Sequence, residues 1–315
     1  MDAEPGVQPA TGKVAWLFPG QGSQQVGMGQ ALSEKSAAAR ELFKKADAIL
    51  QRPLSEICFR GPEELLRQTI NTQPAILTAS LACLAAAKER DELPGTLSFA
   101  AGHSLGEYTA AVACDALSFE DGLRLVQERG RLMQAAGEEN PGTMIAVLGL
   151  DEAAARELCS ASGAEVCNVN APGQVVVGGD LDAIARATEM ARSYGARRVV
   201  PLSVSGAFHT SLMQPAATGM ATALAGTTFC DPQVPIVANG TGMPVCDAPA
   251  LREELSYQLT HAVLWQQSVE HMLTSGVTAF LEFGPGQVLS GLVKRVAPTA
   301  MVRNVGEDDL LRGEM

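Results

Sequence analysis

Gly102-His103-Ser104-Leu105-Gly106 sets a serine between two glycines, each two positions away. Such glycines let a strand turn sharply into a helix and leave the serine hydroxyl exposed at the turn, the geometry of a nucleophile elbow. With average glycine usage near 7%, the bare pattern arises by chance in roughly one chain of this length in ten. Its surroundings therefore decide its weight. An apolar run over 97–101 precedes it and a helical segment over 107–114 follows. Ser104 is expected at a helix N-terminus, where the dipole and unpaired N–H groups favour a developing oxyanion. The competing reading is a tight turn without chemistry.

A serine nucleophile needs a base to take its proton. The chain holds four histidines, His103, His209, His261 and His271. His209 stands in Gly206-Ala207-Phe208-His209-Thr210-Ser211-Leu212-Met213, at the end of a strand-like run and the start of a helix, and leads the candidates. His261 and His271 fall in helical segments and stay open as alternatives. His103 adjoins Ser104, but successive side chains on a strand point to opposite faces. No Asp or Glu lies between Glu189 and Asp231, so no third member of a triad is visible around His209.

The elements that must position these residues alternate between strand and helix. Residues 14–18 are a continuous apolar run ending in Pro19-Gly20, the pattern of a strand buried on both faces. Helices are predicted over about 30–50, 62–70 and 73–90, with Pro62 and Pro74 near two of their starts. Strand 97–101, the elbow and helices over 107–114 and 118–134 follow, an α/β signature. From about 142 to 203 the rhythm changes. Strand 144–150, helix 151–160, strands 165–169 and 174–177 around Ala171-Pro172-Gly173, a helix capped by Asp180 and strand 197–202 give the order β-α-β-β-α-β of the ferredoxin-like split unit. The body resumes with helix 210–225, strand 234–237, helices near 250–260 and 264–275, strand 279–283 and helix 287–296.

A chain of 315 residues with 46% apolar and 18% charged residues suits one large domain carrying an inserted subdomain. Its 23 basic against 35 acidic residues leave a net charge of −12, which argues against a nucleic-acid or anionic-membrane surface. The opening Met1-Asp2-Ala3-Glu4-Pro5 is acidic where a secretory signal would be cationic. The longest mostly apolar stretch, 76–87, falls short of the roughly 20 residues that span a bilayer and reads as a buried helix. Seven cysteines, an odd number without a Cys-x-x-Cys pair, speak against a zinc site or a disulfide framework. They read as small core residues in a reducing cytoplasm.

Five motifs then occur in a recognisable order. They are Phe18-Pro19-Gly20-Gln21-Gly22-Ser23-Gln24, Gly102-His103-Ser104-Leu105-Gly106-Glu107-Tyr108, Gln127-Glu128-Arg129-Gly130, Ala207-Phe208-His209 and Glu282-Phe283-Gly284-Pro285-Gly286. Over about 13–305 the chain resembles the malonyl-CoA:acyl-carrier-protein transacylases, whose motifs the acyltransferase domains of polyketide synthases share. The resemblance implies an α/β-hydrolase-like body over 1–138 and 204–315, with a ferredoxin-like subdomain over 139–203. It implies that Ser104 forms an acyl ester, that His209 activates it, and that backbone N–H groups of Gln21 and Leu105 form the oxyanion hole. It also implies that the backbone carbonyl of Gln258 orients the imidazole.

By the same resemblance Arg129 would hold the free carboxylate of a malonyl group, as a planar guanidinium can with two parallel hydrogen bonds. Phe208 beside His209, with Leu105, favours malonyl over methylmalonyl. His103, Asn168 and Asn170 are expected on the substrate cleft, although hairpin-turn asparagines are an equal reading. Gly284-Pro285-Gly286 reads as a backbone turn under the site. One departure is His261-Ala262-Val263-Leu264-Trp265, where the family usually shows Pro-Val, a polar residue and Trp; it bears on the cleft wall. The implied reaction is ping-pong transfer of malonyl from malonyl-CoA to the phosphopantetheine thiol of an acyl-carrier protein in fatty-acid or polyketide synthesis, in the cytoplasm and without cofactor or metal.

Two rivals stay open. An esterase or thioesterase would use the same elbow with a late histidine, His261 or His271, as base. A non-catalytic carrier-docking module would keep the fold without the reaction. The acidic carrier expected as partner needs cations on an acidic chain, and Arg192, Arg197, Arg198, Lys294 and Arg295 are the dense candidates.

Overall fold

The apolar run after Lys13 has no polar face to offer water, and Val14, Ala15, Leu17 and Phe18 are buried at the centre of a sheet. The structure, a computed structural model, describes residues 12–91 and 93–312. The acidic opening from Met1 to Pro5 lies outside them. Among the described residues the strands are β1 (Lys13–Phe18), β2 (Thr96–Gly102), β3 (Gly142–Leu148), β4 (Glu165–Ala171), β5 (Gln174–Asp180), β6 (Arg198–Pro201), β7 (Ile236–Val237), β8 (Pro244–Val245), β9 (Val277–Phe283) and β10 (Met301–Val305).

Six of them form one sheet in the order β10-β9-β1-β2-β7-β8, parallel except for β8. Alternation along the strands divides the core. Val14, Trp16, Phe18 and Phe283 pack on one face, and Ala15, Leu17, Ala101 and Phe280 on the other. Phe18 pairs with Gly102, so β1 and β2 end level and their loops leave the sheet side by side. That register brings Gln21 next to the elbow.

The other four strands, all antiparallel to their neighbours, run in the order β4-β5-β3-β6 with helices Glu152–Ser162 and Leu181–Met190 in the β-α-β-β-α-β sequence. Asp151 and Asp180 cap those helices by accepting from Ala154 N–H and Ala183 N–H. Ile145, Val147, Leu158, Val175, Val177 and Ile184 form a core of their own. The unit is stitched to the body where Val169 N–H donates to Val263 O at 2.8 Å and Val263 N–H donates to Cys167 O at 2.9 Å.

Several expectations need correction. The helix expected over 30–50 breaks at Ser36, whose hydroxyl caps Ala37–Leu50 by accepting from Ala39 N–H. The helices expected over 62–70 and 73–90 are Glu63–Arg67 and Thr69–Glu89, so Pro74 lies inside the longer one. A proline has no N–H for the fourth carbonyl back, and that carbonyl, Ile70 O, accepts from Arg52 Nη2 at 3.0 Å instead. The helix is longer than the expected apolar stretch and by length and composition could cross a membrane, yet 89% of its apolar window is buried inside the structure. It is a core helix packed against Phe119–Glu139. Cys230 and Cys246 are exposed, contrary to the reading of all seven cysteines as core. Helices Leu54–Arg60 and Glu307–Arg312 and strands β8 and β10 were not anticipated.

Candidate active site

The elbow closes because its glycines leave no room for a side chain. A Cβ on Gly102 would lie 1.8 Å from Gly106 C, and one on Gly106 would lie 2.1 Å from Phe18 O. Ser104 sits at the turn with φ of 54°, in the left-handed region that few non-glycine residues adopt. His209 shares that feature, with φ of 62°. Backbone outliers of this kind cluster where a site holds its side chains in place.

Ser104 Oγ lies 2.7 Å from His209 Nε2, and His209 Nδ1 lies 2.8 Å from Gln258 O. A carbonyl can only accept, so Nδ1 carries the ring proton and Nε2 is left as the acceptor for the serine O–H. Burial first, and the Arg129 guanidinium second, push the His209 pKa down to about 3. The ring is neutral at neutral pH, as a base must be. His261 faces Tyr257 O and Thr260 Oγ1, and His271 faces Ser275 Oγ. Neither reaches Ser104.

Arg129 projects from the middle of helix Phe119–Glu139 and is 1% exposed. Its Nη2 donates to Ser104 Oγ at 3.0 Å and to Gln258 Oε1 at 2.7 Å, while Nη1 donates to Gln73 Oε1 at 3.0 Å. The guanidinium lies 5.6 Å over the Tyr108 ring. Its Nε is buried without a partner. The salt bridges among the described residues all join other, surface arginines to Glu. Arg129 thus holds a buried charge with neutral amide oxygens around it and no carboxylate in contact; burial lowers its pKa, against the opposing pull of Tyr108 and Glu107 nearby.

The backbone N–H groups of Gln21 and Leu105 have no acceptor among the described residues. The Gln21 side chain reaches Thr69 Oγ1 at 3.4 Å. His103 Nε2 lies 2.9 Å from Asn170 Oδ1, which ties the elbow to the four-stranded unit, and its ring stands 5.7 Å from that of Trp265. Asn168 is buried on β4 but makes no side-chain hydrogen bond among the described residues; its strand bridges to Val263. Phe208 is buried in the main core cluster next to His209. Gly284 packs against Pro19 and Ser80, and Gly286 against Ser23, so this turn supports the Gln21 loop from below.

Gln73, Asn239 and the side-chain role of Gln258 escaped the sequence reading. Gln73 meets Arg129, and the Gln258 side chain donates from Nε2 to Ser104 O at 2.9 Å and to Glu107 Oε2. Asn239 bonds the elbow backbone, and its own N–H donates to Glu107 Oε1 at 2.6 Å. Glu107 is held well above the usual carboxylate range, chiefly by burial and then by Glu254. Only a polar run, Ala238-Asn239-Gly240-Thr241-Gly242, hinted at Asn239.

The family model described as the acyl transferase domain matches residues 15–305. A Bacillus subtilis protein named malonyl CoA-acyl carrier protein transacylase is 43% identical over 289 residues, spanning 90% of each chain. Among solved structures, the acyl-carrier-protein S-malonyltransferase of Bartonella henselae is 38% identical with a TM-score of 0.91, covering 96% of this chain and 98% of that one. A malonyl-transacylase solved in complex with its type II polyketide-synthase acyl-carrier protein is 38% identical with a TM-score of 0.88, covering 95% of this chain and 98% of that one. A serine held between a neutral histidine and a buried arginine, on a chain alike over nearly its full length to these proteins, identifies it as a member of the acyl transferase family and, within it, of the malonyl-CoA:acyl-carrier-protein transacylases.

Proposed function

We propose that this chain moves a malonyl group from malonyl-CoA to the phosphopantetheine thiol of an acyl-carrier protein, through an ester on Ser104. His209 Nε2 takes the Ser104 proton as Oγ attacks the thioester carbon, and the oxyanion forms between the Gln21 and Leu105 N–H groups. Collapse breaks the C–S bond, and the CoA sulfur leaves with the proton that His209 returns. The carrier thiol then gives its proton to His209 and attacks the ester; Ser104 departs and is reprotonated. The thioester supplies the reactivity, so the reading includes no cofactor or metal.

One observation carries the acyl specificity: Arg129 is a buried cation with an unpartnered Nε and no carboxylate in contact. A malonyl carboxylate beside Ser104 would supply the missing anion, where an acetyl group could not. Phe208 and Leu105 would narrow the space for a branch methyl, a preference of about 1–3 kcal/mol at most. Asn168, Asn170 and His103 would line the passage for the pantetheine arm. The body, 1–138 and 204–315, would be α/β-hydrolase-like and the insertion, 139–203, ferredoxin-like, with the carrier serving fatty-acid or polyketide synthesis in the cytoplasm.

Intact-mass spectrometry after mixing the protein with a panel of acyl-CoAs tests the reading. A malonyl increment should appear on the wild type and vanish in Ser104→Ala, with the fold intact. Malonylation that persists in Ser104→Ala would sink the mechanism.

A further inference from the structure

Asn239 lies just past β7, 135 positions from the elbow and outside the motifs that carry the family resemblance. It is 0% exposed. Its Oδ1 accepts the Ser104 N–H at 2.6 Å and its Nδ2 donates to Gly102 O at 2.6 Å, so one planar amide clamps both sides of His103. Asn239 is itself held: its N–H donates to Glu107 Oε1 at 2.6 Å, and its carbonyl accepts from Leu264 N–H at 2.8 Å. The carboxamide therefore has little freedom to turn.

Peptide units are planar, so fixing the units on either side of a residue fixes its φ and ψ. Asn239 pins the unit that enters Ser104, through the Ser104 N–H. Gln258 Nε2 pins the unit that leaves it, through Ser104 O. Between them Ser104 keeps a φ of 54°, which a serine left to itself would relax. We propose that Asn239 is a positioning residue: it holds Ser104 in the left-handed conformation and thereby keeps Oγ at His209 Nε2 and beside the Leu105 N–H. The proposal rests on the reading of Ser104 as the acylated residue, but Asn239 would act through the backbone and would touch no part of the acyl group.

Two variants test it, with malonyl loading of Ser104 measured as kcat and KM for malonyl-CoA. Asn239→Leu keeps about the same bulk and makes neither bond. It should lower kcat by about 10- to 100-fold, the scale of a nucleophile displaced by a fraction of an ångström to an ångström, with KM within about twofold of wild type. Asn239→Asp reproduces both bonds only while protonated, its carbonyl accepting and its O–H donating. The titratable groups around that position are His103 in the elbow itself, Glu107 on helix Gly106–Ala113, Glu254 on helix Ala248–Tyr257, and Arg129 and His209, which meet Ser104 Oγ. All of them are common to the wild type and to Asn239→Leu, which serve as controls.

The kcat of Asn239→Asp should therefore climb toward wild type as pH falls from about 8 to about 5.5, while Asn239→Leu stays low throughout. If Asn239→Leu fails to fold, the pH series of Asn239→Asp decides alone. An Asn239→Asp kcat that stays flat below the wild-type level or falls with acid, or a folded Asn239→Leu that keeps the wild-type kcat, overturns the assignment; an Asn239→Asp kcat level with wild type throughout is the protonated form and supports it. Absence of malonyl on wild-type Ser104 would instead overturn the proposed function, so the two failures are distinguishable.

Discussion

His209 Nδ1 points at the main-chain oxygen of Gln258, 2.8 Å away, so a neutral carbonyl stands where a Ser-His-Asp triad has its carboxylate. The carbonyl fixes the tautomer as well as an aspartate would. It gives an imidazolium far less support. The ring is consequently neutral well into the acid range, its pKa pushed down to about 3 by burial and by Arg129.

That depression has two consequences with pH. The rate of malonyl loading should stay level as pH falls from about 7.5 to about 5, where an unperturbed imidazole near 6.5 would be losing its basic form. Stability should not stay level. Between a pKa of about 3 in the folded chain and about 6.5 unfolded, the unfolded chain binds the extra proton. The His209 contribution is therefore complete above about pH 6.5 and lost as pH drops toward 3, by at most about 1.4 kcal/mol per pH unit. Melting temperatures of wild type and His209→Gln across that range should converge with acid; parallel curves would contradict the shift.

His209→Ala should slow Ser104 acylation by about 10²- to 10⁴-fold, the usual scale for a positioned base. His261→Ala should leave it within about twofold of wild type, since His261 faces Tyr257 O and Thr260 instead. Single-turnover mass spectrometry reads both. Loss at His261 with retention at His209 would revive the hydrolase alternative.

Arg129→Ala should depress malonyl loading and spare or improve acetyl loading, because only malonyl brings a carboxylate to the guanidinium. Removing one member of a buried pair costs about 3–5 kcal/mol, enough to be plain in competition assays with both acyl-CoAs. Equal loss for both acyl groups would make Arg129 a scaffold for Gln73 and Gln258 alone.

Arg197, Arg198, Lys294 and Arg295 are exposed and outside the surface salt bridges, although Lys294 Nζ also donates to Ala300 O at 2.6 Å. On a chain of net charge −12 such clusters would attract an acidic carrier. Reversing Arg197 and Arg198, or Lys294 and Arg295, to Glu should raise the KM for the carrier and leave self-acylation by malonyl-CoA unchanged. Unaltered carrier kinetics in both double variants would place docking elsewhere.

Much of this was legible in the sequence, because local chemistry leaves local marks. The apolar pattern from Val14 to Phe18, Gly102 in the elbow and the aspartate caps at Asp151 and Asp180 are each marked by neighbours in the chain. Gln73, Asn239 and the Gln258 side chain left no such mark. Their roles arise from partners 56, 135 and 129 positions away, and an isolated Asn or Gln looks the same whether it meets a solvent shell or a nucleophile. β10 was missed for a related reason: at the sheet edge, Arg303 and Asn304 interrupt the apolar pattern that marks a central strand.

The first helix after the Gln21 loop, Gln30–Lys35, has no capping side chain of its own. Its free amides are met by Glu307, whose carboxylate accepts from Gly29 N–H at 2.8 Å and Leu32 N–H at 2.7 Å. That acceptor stands 278 positions beyond Gly29. On the ribosome, the stretch leading out of the Gln21 loop is made long before its anchor, so this corner of the fold cannot be completed until Glu307 has emerged. A nascent chain halted before Glu307 would carry Ser104, His209 and Arg129, yet leave the segment next to Gln21 unfastened.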